Sequence, residues 1–224
     1  MYKRQILCIE TATKSCSVAL TSDGQLVAVK EEVSEQYSHS EQLTVFISQL
    51  LQKEELKVSD LDAIAVSSGP GSYTGLRIGV STAKGLCYAG NLPLISVSTM
   101  DSLAQAMKDK YPEAQLCPML DARRMEVYCK LYSKSQVSPV VAKIIEKDSF
   151  KLELEQGPVL FFGDGADKCQ DVLTHTNAYF ELGIFPSATN MISLAHKKFQ
   201  NQDFEDVAYF EPFYLKDFVS GMKK

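Results

Sequence analysis

The most informative part of the sequence is a glycine-rich segment, Gly69-Pro70-Gly71-Ser72-Tyr73-Thr74-Gly75-Leu76-Arg77-Ile78-Gly79. A continuous apolar run at 62–67 comes directly before it, which is typical of a strand buried on both faces. A helical pattern follows over 74–88. Because strand, glycine turn and helix follow one another directly, the segment predicts an α/β fold.

One interpretation of this turn is an anion site. The amide groups at the start of a helix and its dipole both favour a phosphate at that point. The segment is not a P-loop, however, because no Lys-Ser/Thr pair follows a G-x-x-x-x-G pattern. Nor does it fit G-x-G-x-x-G, since Gly75 comes one residue too late. Phosphate binding is therefore one of three alternatives for the glycines.

The second alternative is a contact surface. Gly71, Gly75 and Gly79 recur every four residues, and Ala83 continues the row, so one helix face has almost no side chains. A glycine inside a helix costs about 1 kcal/mol relative to alanine, so a repeated one needs a compensating close contact. The third alternative is an ordinary core helix.

An earlier helix is the expected neighbour of this row within the chain. Ser38 and Glu41 have the spacing of a capping box, and apolar residues then recur at helical spacing over 38–52. Apolar surface that the chain itself leaves uncovered would be covered by a second subunit. The residues predicted to form this contact surface are Leu43, Phe46, Ile47, Leu50, Gly71, Gly75, Leu76, Ile78, Gly79, Thr82 and Ala83.

The two halves of the chain show the same order of elements. Each has a strand that ends in a carboxylate, two further strands, a helix, and a buried strand that enters a G-x-G turn. Chance similarity of two α/β units is the alternative; a true repeat implies two related lobes with a cleft between them. The residues predicted to converge on that cleft, close to any bound nucleotide, are Glu10, Thr11, Gly69, Gly71, Ser72, Asp121, Gly163 and Gly165.

Glu10 and Asp121 end the first strand of each half. Two carboxylates facing one cleft could hold Mg²⁺ on a nucleotide or transfer protons. The alternative is helix capping, or a salt bridge to Arg77, Arg123 or Arg124. The sequence leaves both interpretations open.

Composition limits the function further. The chain has 224 residues and a net charge of −5, which argues against a protein that grips nucleic acid by itself. No apolar stretch approaches the about 18 residues that a membrane-spanning helix needs. The six cysteines form no C-x-x-C pair and are expected to be buried free thiols.

The histidines predict no metal centre. There is no H-x-x-x-H or H-E-x-x-H spacing, so the short helical metal motifs are excluded. His39 is expected on the surface, at the start of the helix over 38–52. Ser72 and Thr74 have no local base that would activate them as nucleophiles.

Several of these motifs resemble the TsaB family, also called YeaZ. The resemblance covers nearly the whole chain and is strongest in the glycine-rich segment. One departure is Glu10-Thr11-Ala12-Thr13, where many members have Asp-Thr-Ser. The other stretches that carry the resemblance are Ile6-Leu7-Cys8-Ile9, Ser38-His39-Ser40-Glu41, Leu120-Asp121-Ala122-Arg123-Arg124 and Phe213-Tyr214-Leu215-Lys216.

The resemblance implies a fold and a set of partners. The fold is the two-lobed actin/Hsp70/sugar-kinase (ASKHA) fold, each lobe a mixed sheet with flanking helices. The lobes are expected at 1–100 and 101–224, with the final segment packing back across both. The family takes part in making N6-threonylcarbamoyladenosine at position 37 of tRNA. TsaB-like proteins pair with the catalytic transferase TsaD, which carries a metal-binding H-x-x-x-H, and the ATPase TsaE joins them.

By this resemblance the chain is a non-catalytic, cytoplasmic subunit that reaches tRNA only through the complex and forms a homodimer when isolated. Whether ATP or ADP with Mg²⁺ binds at the cleft or at a subunit boundary stays open. The alternative function is a small nucleotide-binding ATPase or kinase-like enzyme of the same fold. A glycoprotease-type metallopeptidase is a further alternative, against which the missing histidine pair argues.

Overall fold

A computed structural model describes residues 4–34, 39–108 and 110–216, and it contains two five-stranded mixed sheets. In the first sheet the order is β3-β2-β1-β4-β5, with β1 antiparallel to β2 and parallel to β4. Its strands are β1 (Gln5–Glu10), β2 (Ser15–Ser22), β3 (Gln25–Val33), β4 (Ala63–Gly69) and β5 (Leu94–Ser98).

The second sheet repeats this topology. Its order is β10-β9-β6-β7-β8, and β6 is antiparallel to β7 and parallel to β9. Each sheet thus continues from its central strand into a hairpin on one side and into a parallel strand with a glycine turn on the other, which confirms the predicted repeat. The strands are β6 (Gln115–Asp121), β7 (Glu126–Cys129), β8 (Val141–Ile144), β9 (Val159–Phe162) and β10 (Ala178–Glu181).

Within the described residues, five α-helices flank the sheets. They are α1 (His39–Lys53), α2 (Tyr73–Gly90), α3 (Thr99–Lys108), α4 (Lys151–Gln156) and α5 (Ile192–Gln200). Ser38, the predicted N-cap of α1, lies outside the described residues. Three short 3₁₀ turns complete the pattern: Val58–Asp60, Asp167–Cys169 and Ala188–Met191.

Both faces of the first sheet are covered by helices. On one face α1 and α2 pack on the strands, and Leu43, Leu50 and Val80 join the same core as Leu7 and Ile9. On the other face, Ala188, Met191 and Ala195 pack on Ile6 and Cys8. The chain therefore returns to the first sheet after it has completed the second. Helix α3, in contrast, contributes Met100, Leu103 and Met107 to a core with residues of β6 and β9.

Some elements differ from the sequence prediction. The sequence pattern also predicts a strand over 126–132 and short helices over 148–154 and 167–173. The strand ends at Cys129, and the first of these helices is α4, which begins at Lys151. The second is a 3₁₀ turn, because the amide of Cys169 bonds to the carbonyl three residues earlier, that of Ala166. Strands β5 and β10 were not predicted.

Other predictions can be compared directly. All six cysteines are free and buried, as expected. None of the helices in the described ranges is long and apolar enough to cross a bilayer. The final segment contacts the first sheet, where the amide of Phe213 donates to the carbonyl of Ser68 at 2.7 Å, and its Lys216 pairs with Glu126 of β7. The division into lobes at residue 100 stays a prediction.

Candidate functional site

The glycine row of α2 packs against the turn between β1 and β2. A Cβ on Gly71 would lie 2.4 Å from the carbonyl oxygen of Ala12, and one on Gly75 would lie 2.2 Å from that of Thr11. A Cβ on Gly79 would lie 2.2 Å from the Thr11 hydroxyl oxygen. The predicted close backbone approach is therefore present, and its partner is this turn.

Hydrogen bonds fix the same contact. The amide of Ser72 donates to the carbonyl of Ala12 at 2.6 Å, and the Thr11 hydroxyl donates to the carbonyl of Gly75 at 2.8 Å. The Ser72 side chain caps α2 by accepting from the amide of Gly75 at 3.2 Å. The Thr11 hydroxyl and the Ser72 amide thus hold the start of α2 on the β1–β2 turn, while the Ser72 hydroxyl caps the helix.

This arrangement corrects the predicted contact surface. Gly71, Gly75 and Gly79 do not form a docking ridge, because the β1–β2 turn of the same chain occupies the space beside them. Further members of the predicted set are buried in the core: Leu43, Leu50, Leu76 and Ala83, together with Ile47, which is 5% exposed and lines the groove described below. Half-buried are Phe46, Ile78 and Thr82.

His39 belongs to the same cluster, contrary to the prediction that it lies on the surface. It is only 1% exposed, and its Nε2 atom lies 2.7 Å from the carbonyl oxygen of Thr13. Its Cδ2 atom would lie 3.3 Å from a Cβ on Gly75, so the ring fills space that the glycine leaves. Burial lowers the pKa of His39. Nothing in the sequence indicates this contact except that a glycine leaves room for a ring.

Glu10 lies at the end of β1 and is fully buried in the first lobe. Loss of hydration raises its pKa to about 7, although the amide of Ala12 donates to its Oε1 atom at 2.7 Å. It belongs to the face of the sheet that residues 188–191 cover, where the amide of Ala188 donates to the Ser17 hydroxyl at 3.0 Å. The chain itself therefore covers this end of the predicted cleft.

Asp121 has a different environment at the end of β6. It is exposed and forms an ion pair with Lys168, and it accepts a hydrogen bond from the amide of Arg123 at 2.9 Å. Glu10 is thus buried in the first lobe and Asp121 is ion-paired in the second, and a Mg²⁺ site shared by the two carboxylates stays a prediction. Asp121 therefore forms a salt bridge, as the alternative interpretation predicted, but its partner is Lys168 and not one of the predicted arginines.

The glycine turn of the second lobe matches that of the first. Gly69 and Gly163 both have a φ of +102°, where side chains are strained. A Cβ on Gly163 would lie 2.3 Å from the carbonyl oxygen of Met119, and one on Gly165 would lie 2.6 Å from the carbonyl carbon of Leu120. The predicted cleft residues thus form two separate clusters, one in each lobe.

One pair of opposite charges, one from each cluster, interacts electrostatically. Burial raises the pKa of Asp164, in the second turn, to about 6, while Lys14 of the β1–β2 turn and Lys168 lower it. Lys14 and Asp164 therefore interact across the boundary between the lobes. Neither residue is among the predicted cleft residues.

The final segment packs against α2, which the sequence also did not indicate. The Tyr214 ring lies 4.8 Å from the Tyr73 ring, and the Arg77 guanidinium lies 4.4 Å above the Tyr73 ring. Lys84 donates to the carbonyl oxygens of Ala208 and Phe210 at 3.0 and 3.1 Å. This segment covers the N-terminal part of α2.

The opposite side of α1 and α2 is open. Here a groove of about 500 Å³ separates the two helices. Elsewhere on the outer surface of the two helices Tyr88 is 88% exposed and Val45 is 47% exposed, and a Cβ on Gly85 would meet nothing within 4 Å. We call this surface the α1–α2 face. The groove is lined by Thr44, Ile47, Ser48, Leu51, Gln52, Leu56, Lys57, Val58, Thr82 and Leu86.

Within residues 4–34, 39–108 and 110–216, no three His, Cys, Asp or Glu side chains are grouped so that they could hold a metal ion.

Known proteins resemble the chain over nearly its full length. Residues 31–219 match the profile of the family described as TsaD, tRNA N6-adenosine threonylcarbamoyltransferase. The tRNA threonylcarbamoyladenosine biosynthesis protein TsaB of Escherichia coli is 29% identical over 98% of this chain and 97% of its own length. TsaB of Bacillus subtilis is 32% identical over 70% of each chain.

The solved structures agree. YeaZ from Pseudomonas aeruginosa superposes with a TM-score of 0.80 and 25% identity, over 95% of this chain and 100% of that one. The ethanolamine utilization protein EutJ from Carboxydothermus hydrogenoformans, at 9% identity and a TM-score of 0.51 over 87% and 89% of the two chains, shares the actin-like fold. The chain therefore belongs to the family of that threonylcarbamoyltransferase profile and, within it, to the TsaB (YeaZ) proteins of tRNA threonylcarbamoyladenosine biosynthesis.

Proposed function

We propose that the chain is a non-catalytic subunit of the complex that forms N6-threonylcarbamoyladenosine at position 37 of tRNA. The side chains that could carry chemistry are instead engaged in holding the fold. Thr11 and Ser72 bind the start of α2, Asp121 pairs with Lys168, and Glu10 is fully buried and accepts from the amide of Ala12. A protein whose reactive groups are used in this way contributes to the reaction by assembly.

The partners in this proposal are the TsaD transferase subunit and the TsaE ATPase. The observation that carries it is the α1–α2 face, which has a groove between the two helices and exposes Tyr88 and Val45 elsewhere on their outer surface. Contiguous exposed apolar surface marks protein contact sites, and aromatic side chains are the usual anchors. Because Gly85 has open space beside it, a partner helix could approach the backbone of α2 at that point.

Parts of the predicted contact surface remain in the proposal. Phe46, Ile78 and Thr82 are half-buried, and Thr82 lines the groove itself. The same face would join two copies when the chain is isolated, since a surface that binds a related subunit can also bind a second copy. The complex acts on tRNA, so we place the chain in the cytoplasm.

Two substitutions test the docking surface. Gly85→Leu adds a side chain where the chain leaves open space, and Tyr88→Ala removes the exposed ring. Each should weaken binding to the purified TsaD subunit by at least about tenfold, because truncation of an interface anchor commonly has that effect. Tyr209→Ala, at a tyrosine that is 84% exposed on the final segment, is the matched control.

Titration calorimetry and size-exclusion chromatography measure the binding, and circular dichroism confirms that each variant is folded. If both α2 variants bind like the control, the α1–α2 face is not the docking surface. The non-catalytic role is tested separately: threonylcarbamoyl transfer or ATP hydrolysis by the isolated chain would contradict it and favour the ATPase alternative.

A further inference from the structure

The turn between β6 and β7 carries two arginines in an unusual conformation. Arg123 has a φ of +69° and Arg124 a φ of +47°, and both are exposed. The left-handed region is unfavourable for such residues, and strained residues of this kind concentrate at functional sites. The hydrogen bond from the amide of Glu126 to the carbonyl of Arg123, at 3.1 Å, closes the turn and holds both arginines on it.

The charges around this turn leave both guanidinium groups uncompensated. The two acidic residues of the turn already have partners, since Asp121 pairs with Lys168 and Glu126 pairs with Lys216. Within the part of the chain that the structure describes, neither arginine takes part in a salt bridge. A surplus of positive charge therefore lies at this point of a chain whose net charge is −5.

A groove of about 520 Å³ begins at the same turn. Arg123, Arg124 and Glu126 line it, together with Met125 and with Ile144, which is 64% exposed. The groove thus combines apolar surface with two guanidinium groups at its edge. This is the combination that accepts a nucleotide of a polymer, since phosphates bind guanidinium forks and sugars or bases pack on apolar or guanidinium surfaces.

We propose that the Arg123–Arg124 turn contacts the phosphodiester backbone of tRNA in the assembled complex. This inference rests on the proposed function, because tRNA is the polyanion on which that complex acts. A free nucleotide fits less well, since small ligands bind in enclosed pockets with converging polar groups and this groove is an open surface beside a turn. An acidic protein segment is the other class of partner, and the experiment below separates it from RNA.

The test uses fluorescence anisotropy of labelled substrate tRNA at salt concentrations from about 50 to 200 mM. It compares the wild type with Arg123→Gln/Arg124→Gln, which keeps the same backbone strain but removes two charges. The control, Lys108→Gln/Lys197→Gln, removes two charges from exposed positions on α3 and α5. Both the isolated chain and its complex with the TsaD subunit are measured.

Loss of two phosphate contacts should lower the slope of log K against log salt by about 1.4 to 1.8 and weaken binding at least about tenfold at 0.1 M salt. The control should keep most of the wild-type slope. Arg123→Lys/Arg124→Lys should keep the slope but lose part of the affinity, since lysine lacks the bidentate fork. ATP at millimolar concentration should not displace the tRNA.

Three results would overturn the inference. One is an arginine variant that binds tRNA like the control; another is displacement of tRNA by ATP. The third is an arginine variant that keeps tRNA binding but no longer joins the TsaD subunit, which would assign the turn to an acidic protein surface. If the wild type itself does not join TsaD, the proposed function fails; if it joins TsaD and the arginine variant of the complex binds tRNA like the control, only the RNA contact fails.

Discussion

Adding a single methyl group to Gly75 should destabilise the protein, although alanine is the better helix former. The new Cβ would lie 2.2 Å from the carbonyl oxygen of Thr11 and 3.3 Å from the His39 ring. The carbonyl oxygen of Thr11 is backbone in a fully buried turn, so the clash can be relieved only if α2 and the β1–β2 turn move apart. Overpacking of this kind costs about 1–3 kcal/mol, and a clash with backbone belongs at the upper end.

The helix-propensity gain of about 1 kcal/mol offsets part of this cost, so Gly75→Ala should lose about 2 kcal/mol. Gly85→Ala on the same helix is the control, because its Cβ meets nothing within 4 Å, so the variant should show only the stabilising gain in helix propensity. For a chain of this length 1 kcal/mol corresponds to a change in Tm of about 2–4 °C, so the two variants should move in opposite directions.

Urea unfolding followed by circular dichroism measures both free energies of unfolding. If Gly75→Ala is as stable as Gly85→Ala, the β1–β2 turn does not press on α2 as described, and the explanation of the glycine row is wrong. We expect that folded Gly75→Ala protein still binds TsaD, because that glycine lies inside the lobe.

Two further predictions concern buried positions of each lobe. Glu10 has a pKa near 7 against an ordinary value of 4.5, so between these pH values the folded state holds a proton that the unfolded state has released. The wild type should therefore lose stability as pH rises from about 4.5 to about 7, by up to about 3 kcal/mol relative to Glu10→Gln. If the urea midpoints of the two proteins change by the same amount between pH 5 and pH 7.5, this prediction is wrong. Gly163→Ala should lower the free energy of unfolding by more than about 2 kcal/mol, since it adds a clash with Met119 to backbone strain. The control is Gly183→Ala, at a φ of +69° with open space around it, which should introduce the backbone strain alone. Equal losses of Tm in the two glycine variants would show that the contact with Met119 is unimportant.

Local patterns predicted much of the fold. The continuous run at 62–67, the spacing of Leu43 and Ile47, and the glycine turn gave β4, α1 and α2 within a few residues, because hydrophobic periodicity and turn chemistry act over short distances. The internal repeat also followed from element order alone. Strand β10 was missed because, unlike the equally short but fully buried β9, it is only partly buried and is not apolar throughout.

The site was harder to predict because it depends on distant contacts. The spacing of Gly71, Gly75 and Gly79 correctly indicated a close backbone approach, but it could not say which backbone. The sequence offered a helix and a second subunit as the partner, and the fold supplied the β1–β2 turn, some 60 residues earlier. The burial of His39 and the pairing of Asp121 with Lys168 likewise arise only when the chain is folded.

The cover that residues 188–200 form over the first sheet has a consequence for synthesis. Ile6, Cys8 and their neighbours on that face meet Ala188, Met191 and Ala195 only after both sheets have left the ribosome. Until then the first 98 residues present an apolar sheet face to solvent. The nascent chain is therefore most prone to aggregation late in translation, and chaperones would be needed at that stage rather than at the beginning.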